Sequence, residues 1–117
     1  MRDDFSRKVK DTLAKRVGQR CSNPSCQHST VGPHDHPDKS VNVGVAAHIT
    51  SAAAGGSRYD PTLTAKQRSA IGNAIWLCQT CAKLIDSDVS RYTVDMINKW
   101  KDQAEVVAQQ DVEGRQQ

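Results

Sequence analysis

The first apolar pattern along the chain has helical spacing. Apolar side chains recur every four residues and therefore share one face of a helix: Phe5, Val9, Leu13 and Val17. Aspartates precede this stripe, basic residues close it, and Gly18 is placed to end it. The pattern predicts a first helix over residues 4–17, with a basic outer face that suits either solvent or phosphate groups.

A second pattern, with a period of two residues, predicts short strands. Val41, Val43 and Val45 are apolar, and the residues between them are polar or small. This alternation indicates a half-buried strand that delivers His48 near its end. Another short strand is predicted over residues 75–77.

Two more helices are predicted in the second half of the chain, the first over residues 79–86. Thr93 is placed to cap the other helix. Its apolar stripe consists of Ile97, Trp100, Ala104 and Val107. Because the periodicity is lost after about Gln109, we expect one folded domain over residues 1–110 and a flexible tail, or the start of a linker, over 111–117.

Stretches rich in Gly, Pro, Asn and Asp separate these elements. Residues 20–40 are predicted to be a loop, where flanking prolines favour an exposed position over a metal site for His34 and His36. Residues 50–72 form a long connection with a short helical turn near 64–69. A loop of this length in a small domain is typically functional.

The composition indicates a small domain with a thin core. The 117 residues include one Phe, two Trp, two Tyr and two Met, and such domains usually carry a cross-link. No apolar run approaches the roughly 20 residues that span a bilayer, and the N-terminus lacks the apolar segment of a signal peptide. We therefore expect a cytoplasmic protein without a membrane partner, in which clustered cysteines bind metal more often than they form disulfides.

Four cysteines in two pairs predict a structural zinc site. The pairs are Cys21-x4-Cys26 and Cys78-x2-Cys81, and paired thiolates on tight turns are common ligands of tetrahedral zinc. Four protein ligands would close the coordination shell, so this zinc would stabilise the fold without doing chemistry. Buried free thiols and a redox Cys-x-x-Cys are the alternatives, although the βαβ context of a thioredoxin-like site is not visible.

Taken singly, His48 is interpreted as a core histidine and Asn73 as the cap of a turn. Together with the cysteines they indicate a functional site. Several segments form an ordered pattern: residues 43–49 (Val-Gly-Val-Ala-Ala-His-Ile), 55–61 (Gly-Gly-Ser-Arg-Tyr-Asp-Pro), 68, 73–78 (Asn-Ala-Ile-Trp-Leu-Cys), 84–86 and 100–101. With the cysteine pairs, this pattern resembles the HNH endonuclease family over roughly residues 20–101. More narrowly, it is similar to the N-terminal nuclease module of HNH–SAVED effectors in bacterial CBASS anti-phage systems.

The resemblance implies an α+β fold, with a ββα-metal core and a four-cysteine structural zinc site flanked by N-terminal and C-terminal helices. It implies that His48 is the general base that takes a proton from the attacking water, a task that suits an imidazole. Asn73 would fix the loop that orients His48. A catalytic Mg²⁺ or Mn²⁺ would lie beside the scissile phosphate.

One position departs from the family pattern. A third histidine is expected directly after Cys81, where this chain has Ala82. Asp86 lies four residues further along the predicted helix on the same face, so its carboxylate is the candidate ligand for the catalytic cation. The second ligand is left open among a backbone carbonyl, Asp38, Asp60 and Asp88. A degenerate site is the alternative.

The function that the resemblance implies is hydrolysis of DNA phosphodiester bonds, in double-stranded DNA with little sequence specificity, as part of anti-phage defence. Phosphate contacts are expected from the basic first helix and from Arg58, Arg68, Lys83 and Arg91. Cutting both strands would need a homodimer or higher oligomer, assembled through a C-terminal cyclic-nucleotide-sensing domain outside this sequence. The alternative function is a non-catalytic zinc-knuckle module that binds nucleic acid or a protein.

Overall fold

The computed structural model describes residues 4–51, 55, 56 and 58–114, and it is a small α+β domain. The expected α+β class, with helices at both ends, is confirmed. The helices are α1 (Arg7–Arg16), α2 (Ala65–Arg68), α3 (Gln79–Ser87) and α4 (Val94–Val112). The strands are β1 (Val31–Pro33), β2 (Ser40–Asn42), β3 (Gly44–His48) and β4 (Ala74–Cys78), and a 3₁₀ turn spans Ile71–Asn73. No helix in these described parts is long and apolar enough to cross a membrane.

The central feature is an antiparallel hairpin of β3 and β4, although more than twenty residues separate the two strands in sequence. The register pairs Gly44 with Cys78 at one end and His48 with Ala74 at the other. His48 therefore lies across from the first residue of β4, and Asn73 immediately precedes that residue. The helix α3 begins directly after β4, so the order along this unit is strand, long loop, strand and helix.

Two small hydrophobic cores lie on opposite faces of this hairpin, because β4 alternates its side chains between them. Ala74 and Trp76 pack on the α1 side. That core consists of Phe5, Leu13, Ala14, Val17, Ala74 and Trp76. Ile75 and Leu77 point to the other face, where α3 and α4 cover them. That second core includes Ala47, Ile49, Ile75, Leu77, Ile85, Ile97 and two of the cysteines.

A second antiparallel sheet, formed by β1 and β2, was not predicted. Residues 31–33 pair with residues 40–42 in the region that the sequence predicts to be a loop. The burial expected for Val41 and Val43 is also wrong, since they are 41% and 49% exposed. The chain changes its pairing partner at Val43, whose amide donates to the Thr30 carbonyl at 2.8 Å. Val41, Val43 and Val45 therefore do not belong to one continuous strand.

Side-chain caps set the helix starts, and α1 begins at Arg7, later than the predicted start at residue 4. Ser6 and Thr93 accept hydrogen bonds from amides three residues on, at 3.2 Å in both cases. Thr64 forms a capping box with Gln67 at the start of α2. The end predicted near Gln109 is too early, because α4 continues to Val112. Backbone hydrogen bonds maintain these last turns where the apolar stripe has ended; residues 115–117 lie outside the described residues.

Gly44 provides the first testable prediction, because a Cβ at this position would overlap the indole of Trp76. We expect Gly44→Ala to destabilise the domain by about 1–3 kcal/mol, the usual cost of overpacking a core. Thermal and urea unfolding measure the effect. Gly32→Ala is the matched control, since its added Cβ would lie 4.0 Å from Val41 Cγ2, an ordinary contact. Equal stability of the two variants would contradict the prediction.

Candidate metal centre and the adjoining polar site

The four cysteines converge between the first cysteine pair and the junction of β4 with α3. Their Sγ atoms all lie within 4.8 Å of one another, and the Cys26 and Cys78 sulfurs are 3.9 Å apart. Four sulfurs around a tetrahedral zinc would be separated by ~3.8 Å, given a Zn–S distance of about 2.3 Å. All four cysteines are free of disulfide bonds. The cluster can therefore hold a metal ion such as zinc.

Asn23 organises the turn that carries the first cysteine pair. Its backbone carbonyl accepts the amide of Cys26 at 2.9 Å, and its side-chain oxygen accepts the amide of Ser25 at 3.0 Å. Its side-chain amide points to the second pair and donates to Cys81 Sγ at 3.5 Å. Asn23 thus joins the two pairs and provides a hydrogen bond of the kind that orients metal ligands.

The second cysteine pair opens α3. Cys78 is the N-cap residue, and its sulfur accepts the amide of Cys81 at 3.4 Å. Burial raises the pKa of the Cys78 thiol, but this amide and the neighbouring thiols outweigh burial and bring the pKa below its usual value. Burial dominates for Cys21 and Cys81 and raises their thiol pKa values. Since zinc binds thiolates, a cation at the centre would supply the charge that favours their deprotonation.

His48 lies at the end of β3, on the face that α1 covers. Its imidazole is partly buried and stacks on the Phe5 ring, with centroids 4.1 Å apart and planes inclined by 22°. The sequence assigned Phe5 only to the buried stripe of the first helix. In the structure Phe5 precedes α1 and also fixes one face of His48, a contact that no sequence spacing indicated.

Asn73 is buried and bonded through both ends of its side-chain amide. Its oxygen accepts from the backbone amide and the hydroxyl of Thr50, both at 3.0 Å. Its nitrogen donates to the carbonyls of Thr50 and Arg68 at 3.1 and 2.9 Å, and its own carbonyl accepts the amide of Ile49 at 2.9 Å. Asn73 therefore holds the two residues that follow His48.

A lysine supports the same turn from α4. Lys101 Nζ donates to the carbonyl of Ile71 at 2.7 Å, at the start of the 3₁₀ turn that ends in Asn73. Burial lowers the pKa of this ammonium. The contact links the C-terminal helix to the loop beside His48.

Arg58 is placed differently from the phosphate contact predicted for it. Its side chain is only 5% exposed, and its guanidinium is bound to backbone carbonyls and to Asp86. The ion pair with Asp86 Oδ1 measures 2.8 Å, while the Asp86 side chain remains 56% exposed. Arg58 is thus part of the interior, and Asp86 reaches the surface beside it.

The other residues predicted to contact DNA differ in their surroundings. Arg68 donates to the Leu63 carbonyl and lies over the ring of Tyr59, at 5.7 Å from its centroid. Lys83 is exposed on α3. Arg91 is exposed and pairs with Asp88 at 3.4 Å. The basic side chains of α1 are also exposed: Arg7, Lys8, Lys10, Lys15 and Arg16.

Within the described residues, Asp86 does not belong to a group of three or more His, Cys, Asp and Glu side chains that could hold a metal. Across the described residues, the four cysteines are the one group of three or more His, Cys, Asp and Glu side chains close enough to hold a metal. Asp60 caps its own turn through Thr62, whose hydrogen bonds lower the pKa of the carboxyl group. His34 and His36 are exposed in the β1–β2 hairpin, and Ala82 packs against the core beside the cysteines.

No protein-family model matches this sequence, and a comparison with curated proteins gives no significant match.

The cysteine cluster predicts about one zinc ion per chain in protein purified without chelator. We expect Cys81→Ser to lose zinc and cooperative unfolding, because a buried ligand is removed from a closed site. Zinc content and thermal unfolding are the measurements. Zinc affinity should also rise with pH, since burial raises the thiol pKa values of Cys21 and Cys81 and these protons must leave on binding.

Ser22→Ala is the control for this experiment. Ser22 is buried next to Cys21, and its hydroxyl has no hydrogen-bond partner in the described parts of the chain. Its removal should leave the zinc content unchanged. Less than about half a zinc per wild-type chain, or equal zinc in Cys81→Ser, would contradict the assignment.

Proposed function

We propose that this protein is a metal-dependent endonuclease of the HNH type, which hydrolyses DNA phosphodiester bonds. The observation that carries the proposal is the position of His48 at the end of β3. Asn73 is hydrogen-bonded to Ile49 and Thr50, the two residues that follow His48 in sequence. The sequence β3, loop, β4 and α3 supports a ββα-metal core, and the four-cysteine cluster supports a structural zinc site in it.

In this proposal His48 is the general base. Its imidazole accepts a proton from the water that attacks the phosphorus, while the bond from phosphorus to the leaving 3′-oxygen breaks. The Phe5 ring restricts the rotation of the imidazole, and Asn73 holds the backbone that follows it. The chain thus fixes the base before the substrate binds, which lowers the entropic part of the barrier.

Asp86 is the residue that would hold a catalytic Mg²⁺ or Mn²⁺. Only its Oδ1 is bound to Arg58, and its side chain is largely exposed, which fits a site built from one carboxylate, water and substrate phosphate. The chemistry that such a cation supplies is stabilisation of negative charge at the phosphate and the leaving oxygen. With a single protein carboxylate, cation binding is weak until DNA is bound.

Double-stranded DNA is the proposed partner, held by its phosphates. The α1 helix covers the face of the hairpin from which His48 projects, and its exposed basic side chains lie on the solvent side of that layer. Arg7 and Lys10 line a groove whose other wall includes Asn42 and Ala46 of the strands leading to His48. Contacts of this kind are tolerant of sequence and sensitive to salt.

The wider biological setting is part of the same proposal. One such site cuts one strand, so a double-strand break requires a homodimer or a higher oligomer. By the likeness to HNH–SAVED effectors, assembly follows from a C-terminal domain that senses cyclic nucleotides, in the cytoplasm, during anti-phage defence.

A second candidate function is a non-catalytic zinc-knuckle module that binds nucleic acid or protein. Two observations favour it. Ala82 occupies the position of the third histidine, and Asp86 is already paired with Arg58. In that case the chain would bind DNA without cutting it.

Replacement of His48 separates the two functions. With plasmid and Mn²⁺ or Mg²⁺, we expect His48→Ala to lower the cleavage rate about 10²–10⁴-fold, the usual contribution of a general base. His34→Ala is the matched control, because His34 is an exposed histidine in the β1–β2 hairpin. Equal cleavage by wild type and His48→Ala would remove the general-base role. Cleavage by neither protein, with DNA binding retained, would favour the binding module.

The salt dependence of DNA binding tests the α1 surface. We expect Arg7→Ala and Lys10→Ala each to reduce the slope of log K against log salt by about 0.9, as the loss of one phosphate contact requires. Fluorescence anisotropy at several salt concentrations gives the slope. Lys99→Ala is the control, since Lys99 is an exposed lysine on α4. A similar change in all three variants would indicate a general charge effect.

A further inference from the structure

Arg58 is a buried arginine in the long connection between β3 and α2. Its side chain is 5% exposed, and its backbone adopts φ +56°, a left-handed conformation that is uncommon outside glycine. Such a conformation persists where the surrounding structure determines it, and it is found preferentially at functional sites. The contacts of the guanidinium show what determines it here.

The guanidinium joins three segments that are far apart in sequence. Nε donates to the Ile49 carbonyl at 2.7 Å, one residue after His48. Nη1 donates to the carbonyls of Ile85 at 2.8 Å and Tyr92 at 3.4 Å, and Nη2 donates to Asp86 Oδ1 at 2.8 Å. Arg58 therefore connects the end of β3, the last turn of α3 and the residue before the Thr93 cap of α4.

Two of these contacts reach carbonyls at the ends of secondary-structure elements. Ile85 lies in the last turn of α3, where helix carbonyls have no amide four residues ahead and favour a cation. The Ile49 carbonyl lies just beyond the last paired residue of β3. The planar guanidinium reaches these acceptors in fixed directions, which the single ammonium of a lysine cannot reproduce.

These contacts conflict with a role for Arg58 in binding DNA phosphate. Nε, Nη1 and Nη2 are all engaged with protein acceptors, and the side chain is shielded from solvent. The same contacts reach both halves of the proposed nuclease site, since Ile49 adjoins His48 and Asp86 is the candidate carboxylate. They also occupy one Asp86 oxygen and so orient the other.

We propose that Arg58 is a positioning residue that sets the geometry between His48 and Asp86. It holds the strand end that carries the general base and the carboxylate on α3 in one rigid arrangement. This role rests on the proposed nuclease function. It assigns to Arg58 an effect on the rate of the chemical step and none on the number of phosphate contacts.

Arg58→Lys and Arg58→Gln are the test variants, with Arg20→Lys as the matched control. Arg20 also donates to a backbone carbonyl, that of Gln27 at 3.2 Å, but it is exposed. We expect both Arg58 variants to keep zinc and the salt slope of DNA binding, and to lower kcat about a hundredfold with KM little changed, as a misplacement near 1 Å does. Arg20→Lys should cleave like wild type.

A second readout does not depend on cleavage. The imidazole ¹H–¹⁵N resonances of His48 should shift in Arg58→Lys, whereas those of the exposed His34 should stay unchanged. An unshifted His48 with wild-type kcat would overturn the proposal. A lower salt slope with unchanged kcat would make Arg58 a phosphate contact, and loss of zinc in both variants would make it a folding residue.

The failure of the proposed function has a different signature. If wild type does not cut DNA under any condition, the nuclease proposal fails and the positioning role fails with it. If wild type cuts and both Arg58 variants cut equally well, only the role of Arg58 is wrong.

Discussion

The pairing of β3 with β4 is the interaction on which the rest of this structure depends. Two strands alone are marginally stable in water, so the hairpin must be covered on both faces. The α1 helix covers one face, and α3 and α4 cover the other. The same register places His48 across from Ala74 and beside Asn73. The contact that builds the fold therefore also builds the candidate site.

Each of the two cores is small, which explains why the cysteine cluster matters. The core on the α3 side contains Cys21 and Cys81 as buried members. A metal there would cross-link the turn at Cys21–Cys26 to the end of β4 and the start of α3. Without a metal, the buried thiols of Cys21 and Cys81 would contribute only small apolar groups to an already thin core. A bound metal in such a site contributes directly to the folding free energy.

Local patterns made part of this structure predictable. The spacing of Phe5, Leu13 and Val17 located α1, and Thr93 marked the start of α4 because capping depends on neighbouring residues alone. The grouping of the cysteines followed from their pairing in sequence. The β1–β2 hairpin was missed because its strands have three residues each and one ends in Pro33, too short for a periodic pattern.

The parts of the site that could not be predicted are the ones made by tertiary contacts. Arg58 resembled a surface arginine in a polar loop, and only the fold shows the carbonyls of Ile49 and Ile85 converging on it. The stack of Phe5 on His48 depends likewise on where α1 enters the hairpin. A side chain whose partners are backbone groups from distant elements leaves no spacing signal in the sequence.

The candidate metal centre and His48 are joined by one continuous set of contacts. The cluster fixes the start of α3 through Cys78 and Cys81, and the rigid helix carries that constraint to Ile85 and Asp86 at its other end. Arg58 binds the carbonyls of both Ile85 and Ile49, and Ile49 is the neighbour of His48. A metal bound by the cysteines would therefore influence the position of His48, because the helix that begins at Cys78 ends at the residues that Arg58 holds.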